Sequence, residues 1–490
     1  MVDVLLTHSY HLFYDRKQVR KMQPYPPLGT LYAAALLRQH GFSVAVFDTM
    51  LNNPEEGFAA ALARYCPQVV AIYEDSFNFL SKMCLTRMRE VAFHMIRTAG
   101  AAGIPVVVNG SDASDNAQEY LHQGCECVLL GEAEQTLLEV VQARLGPYWP
   151  NWDGIPGIAF LRAPDGNLVR TASRPLIRDL DTLPFPARDL VDLEPYRKAW
   201  KSTHGFFSLN LVSSRGCPYR CNWCAKPIYG NAFHSRSAAS VAQEMKLLKQ
   251  CGADHLWFAD DIFALKQSWA GELAAAVERL NAAVPFKMQS RVDLMTRPTV
   301  AALRRAGCAE VWMGAESGSQ KILDAMDKDT RVEQIVAARE NLLRHGIRAC
   351  YFLQFGYPGE TWSDIQKTVE LVRRTRPDDI GVSVSYPLPG TRFHERVVEE
   401  LGTKTNWADS DDLAMMFRGA YTDEFYHALH DALHAEVETW SRAKDVPARV
   451  AHDVQALWEQ VFLREKTCRK QSSTPSPRSE AMTAAVQFAD

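Results

Sequence analysis

The sequence of 490 residues predicts an α/β protein with two parallel sheets: an N-terminal doubly wound sheet and a partial (β/α)6 barrel. Short apolar strand segments alternate with helical segments over residues 1–145, and the alternation starts again at residue 209. Strands that are apolar on both faces are typical of parallel sheets covered by helices. Helix-like sequence over 401–465 adds a C-terminal helical segment.

Five βα units in a row make up the predicted N-terminal domain, residues 1–145. Its strand segments are VDVLLT, FSVAVFD, QVVAIY, IPVVVN and CVLL. Gly41, Gly103 and Gly124 stand just past helical segments, where a helix often ends. Consecutive βα units predict an open sheet of the doubly wound type, in which ligands bind at the carboxyl ends of the strands.

Residues 146–208 interrupt this alternation. They contain a hairpin pattern with PDG at its turn, followed by the proline-rich stretch LDTLPFPARDL. The sequence therefore predicts a linker that carries a hairpin.

Six further strand segments follow over residues 209–400: LNLVSS, HLWFAD, FKMQS, EVWMGAE, RACYFLQF and DIGVSVS. A helical segment follows each of the first five, at 237–251, 267–283, 298–306, 331–345 and 361–375. This order predicts the partial barrel, whose chemistry is expected at the C-terminal strand ends. The tail at 466–490 is polar and rich in Pro and Ser, which predicts disorder.

Three of the eleven cysteines lie directly after the first barrel strand, in SSRGCPYRCNWCA. They are Cys217, Cys221 and Cys224, spaced C-x-x-x-C-x-x-C. A structural zinc site takes four ligands and a disulfide takes two, whereas three thiolates suit an iron–sulfur cluster with one position left open. The alternative is a zinc knuckle with His234 as the fourth ligand.

Composition excludes several classes of protein. A net charge of −4 and a pI of about 6.4 argue against an electrostatic nucleic-acid partner. The start MVDVLLTHSY lacks the basic region of a signal peptide, and no apolar run is long enough for a membrane span. The remaining cysteines are scattered, which is typical of a reducing compartment. We expect a cytoplasmic protein.

The strand, the cysteine loop with Trp223 before its last cysteine, and the barrel together resemble the radical S-adenosylmethionine (radical SAM) superfamily. The resemblance implies that Cys217, Cys221 and Cys224 are catalytic metal ligands. They would hold three irons of a 4Fe–4S cluster whose fourth iron binds SAM. One electron, from a flavodoxin- or ferredoxin-type donor, would yield a deoxyadenosyl radical inside the barrel. Trp223 is placed among the cofactor-binding residues.

Polar residues follow the next three barrel strands: Asp260 and Asp261, then Arg291, then Glu316 and Ser317. The resemblance assigns Arg291 to the SAM carboxylate, Glu316 to its ribose or amino group, and Asp260 or Asp261 to ribose or substrate. Ser317 joins the same set. The usual Gly-Gly-Glu triplet is absent, and ADD stands there. Helix caps or surface ion pairs are the alternative for each.

Several phrases are together similar to the cobalamin-binding class of radical SAM proteins over residues 1 to 400. They are PPLGTLYAAALLRQHG, LLGEAEQTLLEVV, IPGIAF, LDTLPFPARDL, GAESGSQKILDAMDK and YPLPGT. The similarity implies that cobalamin binds at the carboxyl edge of the N-terminal sheet. Candidate contacts at the strand ends are Leu28, Gly29, Asp48, Glu74, Asp75, Gly110, Ser111, Gly131 and Glu132.

Two departures bear on cobalamin. The motif Asp-x-His-x-x-Gly is absent from the first 150 residues, as is common in radical SAM members of the class. NGSDAS stands where relatives often have a Gly-Gly pair. A domain that no longer binds cobalamin is the alternative.

Four functional hypotheses follow. The first is a cobalamin-dependent radical SAM C-methyltransferase, class B-like, acting on an unactivated carbon of a small molecule. The second is a radical SAM cyclase or oxidase of the anaerobic tetrapyrrole type. The third, a methylthiotransferase, needs three more cluster cysteines, for which Cys66, Cys84, Cys125 and Cys127 are available by count. The fourth is a cobalamin carrier or sensor with a degenerate barrel.

Three histidines in YHALHDALHAEVETW, at His427, His430 and His434, share one face of a predicted helix. Apolar residues form the opposite face. The pattern favours an amphipathic helix over a metal site, because one helix face rarely completes a coordination sphere.

Overall fold

The computed structural model describes residues 1–78, 86–148, 150–401, 413–441 and 448–469. Their strands form a seven-stranded sheet, a six-stranded sheet and a two-stranded ribbon. The strands are β1 (Val4–Thr7), β2 (Val44–Phe47), β3 (Val69–Tyr73), β4 (Val106–Asn109), β5 (Cys127–Leu129), β6 (Ile158–Arg162), β7 (Asn167–Arg170), β8 (Ser208–Leu211), β9 (Ser214–Arg215), β10 (His234–Ser235), β11 (His255–Phe258), β12 (Phe286–Ser290), β13 (Cys308–Glu316), β14 (Arg348–Phe355) and β15 (Asp379–Val384).

The α-helices lie between these strands and after them. They are α1 (Arg16–Lys21), α2 (Leu28–Gln39), α3 (Pro54–Tyr65), α4 (Thr86–Ala101), α5 (Ser111–Asp115), α6 (Ala117–His122), α7 (Glu134–Leu145), α8 (Glu194–His204), α9 (Ala238–Gln250), α10 (Gln267–Leu280), α11 (Arg297–Ala306), α12 (Gln320–Ala325), α13 (Val332–Arg344), α14 (Trp362–Thr375), α15 (Arg392–Val397), α16 (Asp423–Ser441) and α17 (Ala448–Thr467). Short 3-10 helices occur at Leu12–Tyr14, Trp152–Gly154, Leu180–Thr182, Arg188–Leu190, Val292–Leu294 and Val398–Glu400.

The first sheet has the strand order β2-β1-β3-β4-β5-β6-β7, and its first five strands are parallel. Separate apolar cores cover its two faces, as expected for strands that are apolar on both sides. β2 pairs with one edge of β1, and the next strand along the chain, β3, pairs with the other edge. This reversal of direction confirms the doubly wound topology.

The hairpin expected within the linker belongs to this sheet. β6 pairs antiparallel with β5, and β7 pairs antiparallel with β6. Without the hairpin, the edge of β5 would carry unpaired backbone groups next to the core. Residues 158–170 therefore extend the N-terminal domain, and the connection to the barrel runs through the segment after them.

The second sheet has the order β15-β14-β13-β12-β11-β8, with every pair parallel. This confirms the partial six-stranded barrel. On β14, Ala349, Tyr351 and Leu353 pack in the core under the crossover helices. Because successive side chains of a strand point to opposite faces, Phe352 and Gln354 lie on the other, concave face.

The C-terminal segment packs on the last barrel strand, since α16 contacts both β15 and α17. Trp440 donates from Nε1 to the carbonyl of Pro377 at 3.0 Å. Leu429, Leu433 and Val437 are buried, as the amphipathic pattern predicts. The predicted tail falls largely at 470–490, outside the described residues. Within the part that is described, no helix has the length and apolar character that crossing a membrane requires.

Candidate cofactor site between the two sheets

The cysteine loop leaves β8 and is closed at its base by a small ribbon. β9 pairs antiparallel with β10, so the loop begins and ends at the same place. Gly216 has φ 78°, and a Cβ there would collide with the carbonyl of Ala232 on the returning arm. A glycine is required because both the left-handed backbone and the close approach exclude a side chain. The three cysteines inside the loop are partly exposed.

Asp260 anchors the start of this loop. Its wholly buried carboxylate accepts hydrogen bonds from the backbone N of Ser213 at 3.1 Å, from Ser213 Oγ at 2.7 Å and from Ser214 Oγ at 2.5 Å. Burial raises the pKa of Asp260 to about 6, against the opposing effect of these hydrogen bonds. The geometry makes Asp260 a support of the loop, and a contact of Asp260 or Asp261 with ribose or substrate stays a prediction.

The guanidinium of Arg291 lies beside Cys221. Arg291 Nη1 lies 3.9 Å from Cys221 Sγ, and the guanidinium stacks 3.7 Å from the centre of the Tyr219 ring. Arg291 also donates from Nε to Asp293 at 2.9 Å and from Nη2 to the carbonyl of Asp329 at 3.0 Å. Arg291 thus stands at the position where an anionic group beside the cysteines would be bound.

Glu316 and Lys328 form a buried ion pair of 2.7 Å next to this site. Glu316 has φ 58°, in the left-handed region, which its ion pair helps to hold. The charge of Cys221 contributes to the raised pKa of Lys328, so the ion pair lies close enough to the cysteine loop to interact with it electrostatically. Burial raises the pKa of the Cys217 thiol and raises that of Cys224 to about 12.

The donor set fits an iron–sulfur cluster better than a single metal ion. Among the described residues, no three His, Cys, Asp or Glu side chains lie close enough together to hold one metal ion. A cluster binds its thiolates through separate irons, whereas zinc needs four ligands around one centre. His234 is part of the ribbon and pairs with Arg215. The zinc alternative is therefore not supported.

Trp223 also fits a bound cofactor. Its Nε1 is buried and has no hydrogen-bond partner among the described residues. Buried indole N–H groups are normally satisfied, so the site suits a ligand that accepts this hydrogen bond.

The carboxyl edge of the N-terminal sheet carries several buried carboxylates. Asp48 contacts His8 Nε2 at 2.9 Å and accepts from the Tyr196 hydroxyl at 2.6 Å. Asp75 accepts from the backbone N of Gly29 at 3.0 Å and so caps α2. Burial raises the pKa of Asp75. Both side chains are occupied by protein partners.

A small cavity lies at the same edge, between the ends of β1, β3 and β4. Ser9, Glu74, Gly110 and Ser111 line it. Glu74 accepts from the backbone N of Ser9 at 3.0 and 3.2 Å, and burial raises its pKa. A Cβ on Gly110 would lie 2.9 Å from Glu74 Cγ, so the glycine keeps the cavity open. The cavity lies at the strand edge where doubly wound sheets bind their ligands, which is the place expected for cobalamin.

The two edges face each other. Arg215, at the start of the cysteine loop, is buried and donates to Glu132 at 2.5 Å and to Glu134 at 2.7 Å, which both follow β5 of the N-terminal sheet. One apolar cluster joins the two domains and consists of Leu28, Tyr32, Phe77, Val212, Ile228, Tyr229 and Ala259. Gly131 faces the loop, with its Cβ position 3.5 Å from the carbonyl of Ile228.

Comparison with known proteins identifies both domains. Residues 211–372 match the model of the radical SAM superfamily, and residues 22–141 match that of the B12 binding domain. The chain combines a B12-binding domain with a radical SAM domain. Its cofactors are a 4Fe–4S cluster, SAM and cobalamin.

Relatives of this radical SAM protein carry different functional names. An uncharacterized methyltransferase of Pyrococcus horikoshii is 26% identical over 389 residues, covering 78% of this chain and 81% of the relative. An anaerobic magnesium-protoporphyrin IX monomethyl ester cyclase of Rubrivivax gelatinosus is 24% identical over 403 residues, covering 79% and 68%.

Two solved structures share the fold. The radical SAM methyltransferase TsrM from Kitasatospora setae, solved with cobalamin and a 4Fe–4S cluster, has a TM-score of 0.65 at 20% identity and covers 81% of this chain and 75% of that one. The cobalamin-dependent SAM radical enzyme OxsB has a TM-score of 0.68 at 16% identity and covers 95% and 72%.

The predicted site residues of the radical SAM domain separate into two groups. Arg291 and Glu316 lie beside the cysteine loop. The negative charge of Asp261 contributes to the raised pKa of Cys217 and Cys224, so it also lies near the loop. Ser317 does not join them, because its hydroxyl contacts Thr368 on α14 at 3.1 Å. Its position after the bulge in β13 turns it toward the helices.

The B12-binding domain shows the same division. The cavity is lined by Glu74, Gly110 and Ser111. The carboxylates among the other candidates are bound to groups of the protein itself. Asp48 binds His8, Asp75 caps the helix that begins at Leu28 and Gly29, and Glu132 binds Arg215. The sequence alone did not indicate a role for Arg215, Tyr219 or Lys328. Of the three, only Arg215 had a local signal, its place in the SSRG turn before the cysteines.

The cysteines considered for a methylthiotransferase are not placed for a second cluster. Cys125 and Cys127 belong to the apolar cores on opposite faces of the first sheet, and burial raises the pKa of both thiols. Cys66 is exposed at the end of α3. Cys84 lies outside the described residues.

Proposed function

We propose that this protein is a cobalamin-dependent methyltransferase that transfers a methyl group to an unactivated carbon of a small molecule. The observation that carries the proposal is the direct packing of the cysteine loop on the carboxyl edge of the B12-binding domain. Arg215 joins the cysteine loop to this edge through ion pairs with Glu132 and Glu134, and all three side chains are buried. When bound, the cluster with SAM supplies radical chemistry and cobalamin supplies methyl-transfer chemistry.

The residues of the chain have three tasks in this reaction. Cys217, Cys221 and Cys224 are assigned to the cluster. Arg291 is assigned to the carboxylate of SAM, since its guanidinium is held in place by Tyr219 and stands at Cys221. Rigid placement of reactants accounts for much of the rate enhancement in such a site, and the interdomain contacts provide it.

A second candidate function is cyclisation without methyl transfer. The similarity to the anaerobic cyclase of Rubrivivax gelatinosus spans 403 residues and includes both domains. The two functions require the same cofactors and differ in their products.

The test begins with protein produced and purified without oxygen, with cobalamin supplied during expression. We expect about four irons and one cobalt per chain, the content of one cluster and one cobalamin. Cys221→Ala should lose most of the iron, whereas Cys251→Ala, at an exposed cysteine outside the loop, should not. Iron without cobalt after reconstitution would contradict the methyltransferase.

Products then separate the two functions. With substrate candidates present, a methyltransferase forms S-adenosylhomocysteine alongside 5′-deoxyadenosine, because each transferred methyl group comes from a SAM molecule. Formation of 5′-deoxyadenosine alone, with a modified substrate, would favour the cyclase.

A further inference from the structure

The concave face of the barrel sheet carries an uncovered aromatic ring. Phe352 lies in the interior of β14, a central strand of the sheet, yet 38% of its surface is exposed. Its neighbours along the strand, Tyr351 and Leu353, are fully buried on the helix side. A large apolar side chain left exposed inside a partial barrel, away from the outer surface, indicates a binding surface.

Glycines on both neighbouring strands explain the exposure. Phe352 pairs with Gly314 on β13 and with Gly381 on β15, so neither residue paired with it carries a side chain of its own beside the ring. A Cβ on Gly381 would lie 3.3 Å from Phe352 Cδ1 and 3.4 Å from Trp312 Cζ3. The glycine lets both rings lie close over the sheet.

Trp312 completes a rigid aromatic surface. Its ring centre is 5.0 Å from that of Phe352, and the two planes are inclined by 31°. Trp312 Nε1 donates to Glu310 at 2.7 Å, and Glu310 in turn contacts Arg348 at 3.2 Å. The orientation of the indole is therefore fixed before any ligand binds, which lowers the entropy lost on binding.

This surface adjoins the groups that surround the cysteine loop. A Cβ on Gly314 would lie 2.5 Å from both Glu316 Oε1 and Lys328 Nζ, so their ion pair lies directly over this glycine. Gln354 follows Phe352 on the same face. It is 2% exposed, and its Oε1 has no partner within the described part of the chain. A buried amide oxygen without a partner suits a hydrogen bond from a ligand.

We propose that Trp312, Phe352 and Gly381 form an aromatic floor that binds a planar aromatic ring of the substrate, with the ion pair over Gly314 at one side and Gln354 bonding a polar group at the edge of that ring. The inference rests on the proposed function, because it places the substrate in the barrel beside the cysteine loop. A flat ring covers the floor over its whole face, whereas a puckered saturated ring of the same size does not.

Two neutral probes with the same amide group test the class of ligand. Benzamide has a flat ring and cyclohexanecarboxamide a puckered one. Their dissociation constants are measured by saturation-transfer NMR on the full-length protein loaded with its cofactors, in the absence of oxygen. We expect benzamide to bind about tenfold more tightly, since stacking and apolar contact together contribute on that order.

Three variants locate the site. Phe352→Leu keeps an apolar side chain but removes the flat ring, and it should abolish the preference for benzamide. Gln354→Leu should weaken both amides by the same factor. Phe462→Leu, at a half-exposed phenylalanine on α17, serves as the matched control and should change neither.

Equal binding of the two amides by the wild-type protein, or an unchanged preference in Phe352→Leu, would overturn the aromatic floor. Absence of measurable benzamide binding would do the same. None of these results touches the proposed function, which is tested separately by iron and cobalt content and by the products of SAM. Iron content and circular dichroism of Phe352→Leu show whether that variant is folded.

Discussion

Replacing Arg215 by methionine is expected to destabilise the contact between the two domains. The guanidinium is 3% exposed and donates to two carboxylates that are each 3% exposed, Glu132 and Glu134. Arg215 binds Glu134 through Oε1, and Glu134 Oε2 has no hydrogen-bond partner among the described residues. Arg215→Met would leave two buried carboxylates facing each other without a cation.

Removing one partner of a buried ion pair costs about 3–5 kcal/mol of folding free energy. Here the larger value is expected because two carboxylates lose the same cation. Burial already raises the pKa of Glu132, and Arg215 opposes that effect. A carboxyl group whose folded pKa is raised stabilises the folded state below its unfolded pKa, and this stability is lost as the pH rises through the folded pKa. The defect should therefore be larger at about pH 7.5 than at about pH 5.5.

The assay is urea denaturation of the purified protein, followed by tryptophan fluorescence and circular dichroism. The matched control is Arg38→Met, since Arg38 pairs with Asp189 at 2.7 Å with 42% and 65% of the two side chains exposed. An exposed pair contributes less than about 1 kcal/mol. The triple variant Arg215→Met, Glu132→Gln, Glu134→Gln should recover most of the loss. A loss of stability in Arg215→Met no larger than in the control, or a triple variant no more stable than the single one, would contradict a buried ion pair that holds the domains together.

Three further outcomes follow from the structure. Burial raises the pKa of Glu360 to about 8 from 4.5, so its stabilising contribution is present below about pH 4.5 and lost as the pH rises through about 8. The wild-type protein should therefore lose stability between about pH 6 and 9, and in Glu360→Gln this loss should be smaller by on the order of 3 kcal/mol, measured by thermal melts. The control Glu370→Gln, at an exposed position of α14, should lose as much stability as the wild type. Gly110→Leu should lower cobalt content while iron stays unchanged, because a side chain there meets Glu74 and fills the cavity; equal retention of cobalt would argue against this site. Cys221→Ala should lose the visible absorption of the cluster, and a retained spectrum would show that another ligand set holds it.

Local pattern was sufficient for the fold and for the cysteine loop. Strand and helix periods are properties of neighbouring residues, so the five βα units and the six barrel strands were confirmed close to the predicted bounds. The hairpin was also visible, but its pairing with β5 was not, because an edge strand finds its partner only after the sheet has formed.

The roles of polar residues could be predicted only in part. Position at a strand end selected Arg291 and Glu316, which lie beside the cysteine loop, yet the same rule selected Asp260, which holds the loop, and Ser317, which faces a helix. Side-chain direction after a bulge, and the partner that a buried carboxylate finds, depend on residues far away in the sequence.

The sequence by itself determined two parallel sheets and a triplet of cysteines at a strand end, since spacing and alternation encode both. Only the tertiary structure decided which side of the first sheet meets the barrel. Arg215 and Glu132 are 83 residues apart, and burial of their charges is favourable only when both domains are folded against each other. The aromatic floor has the same origin. Gly314, Phe352 and Gly381 come from three strands, and only their register leaves the ring uncovered.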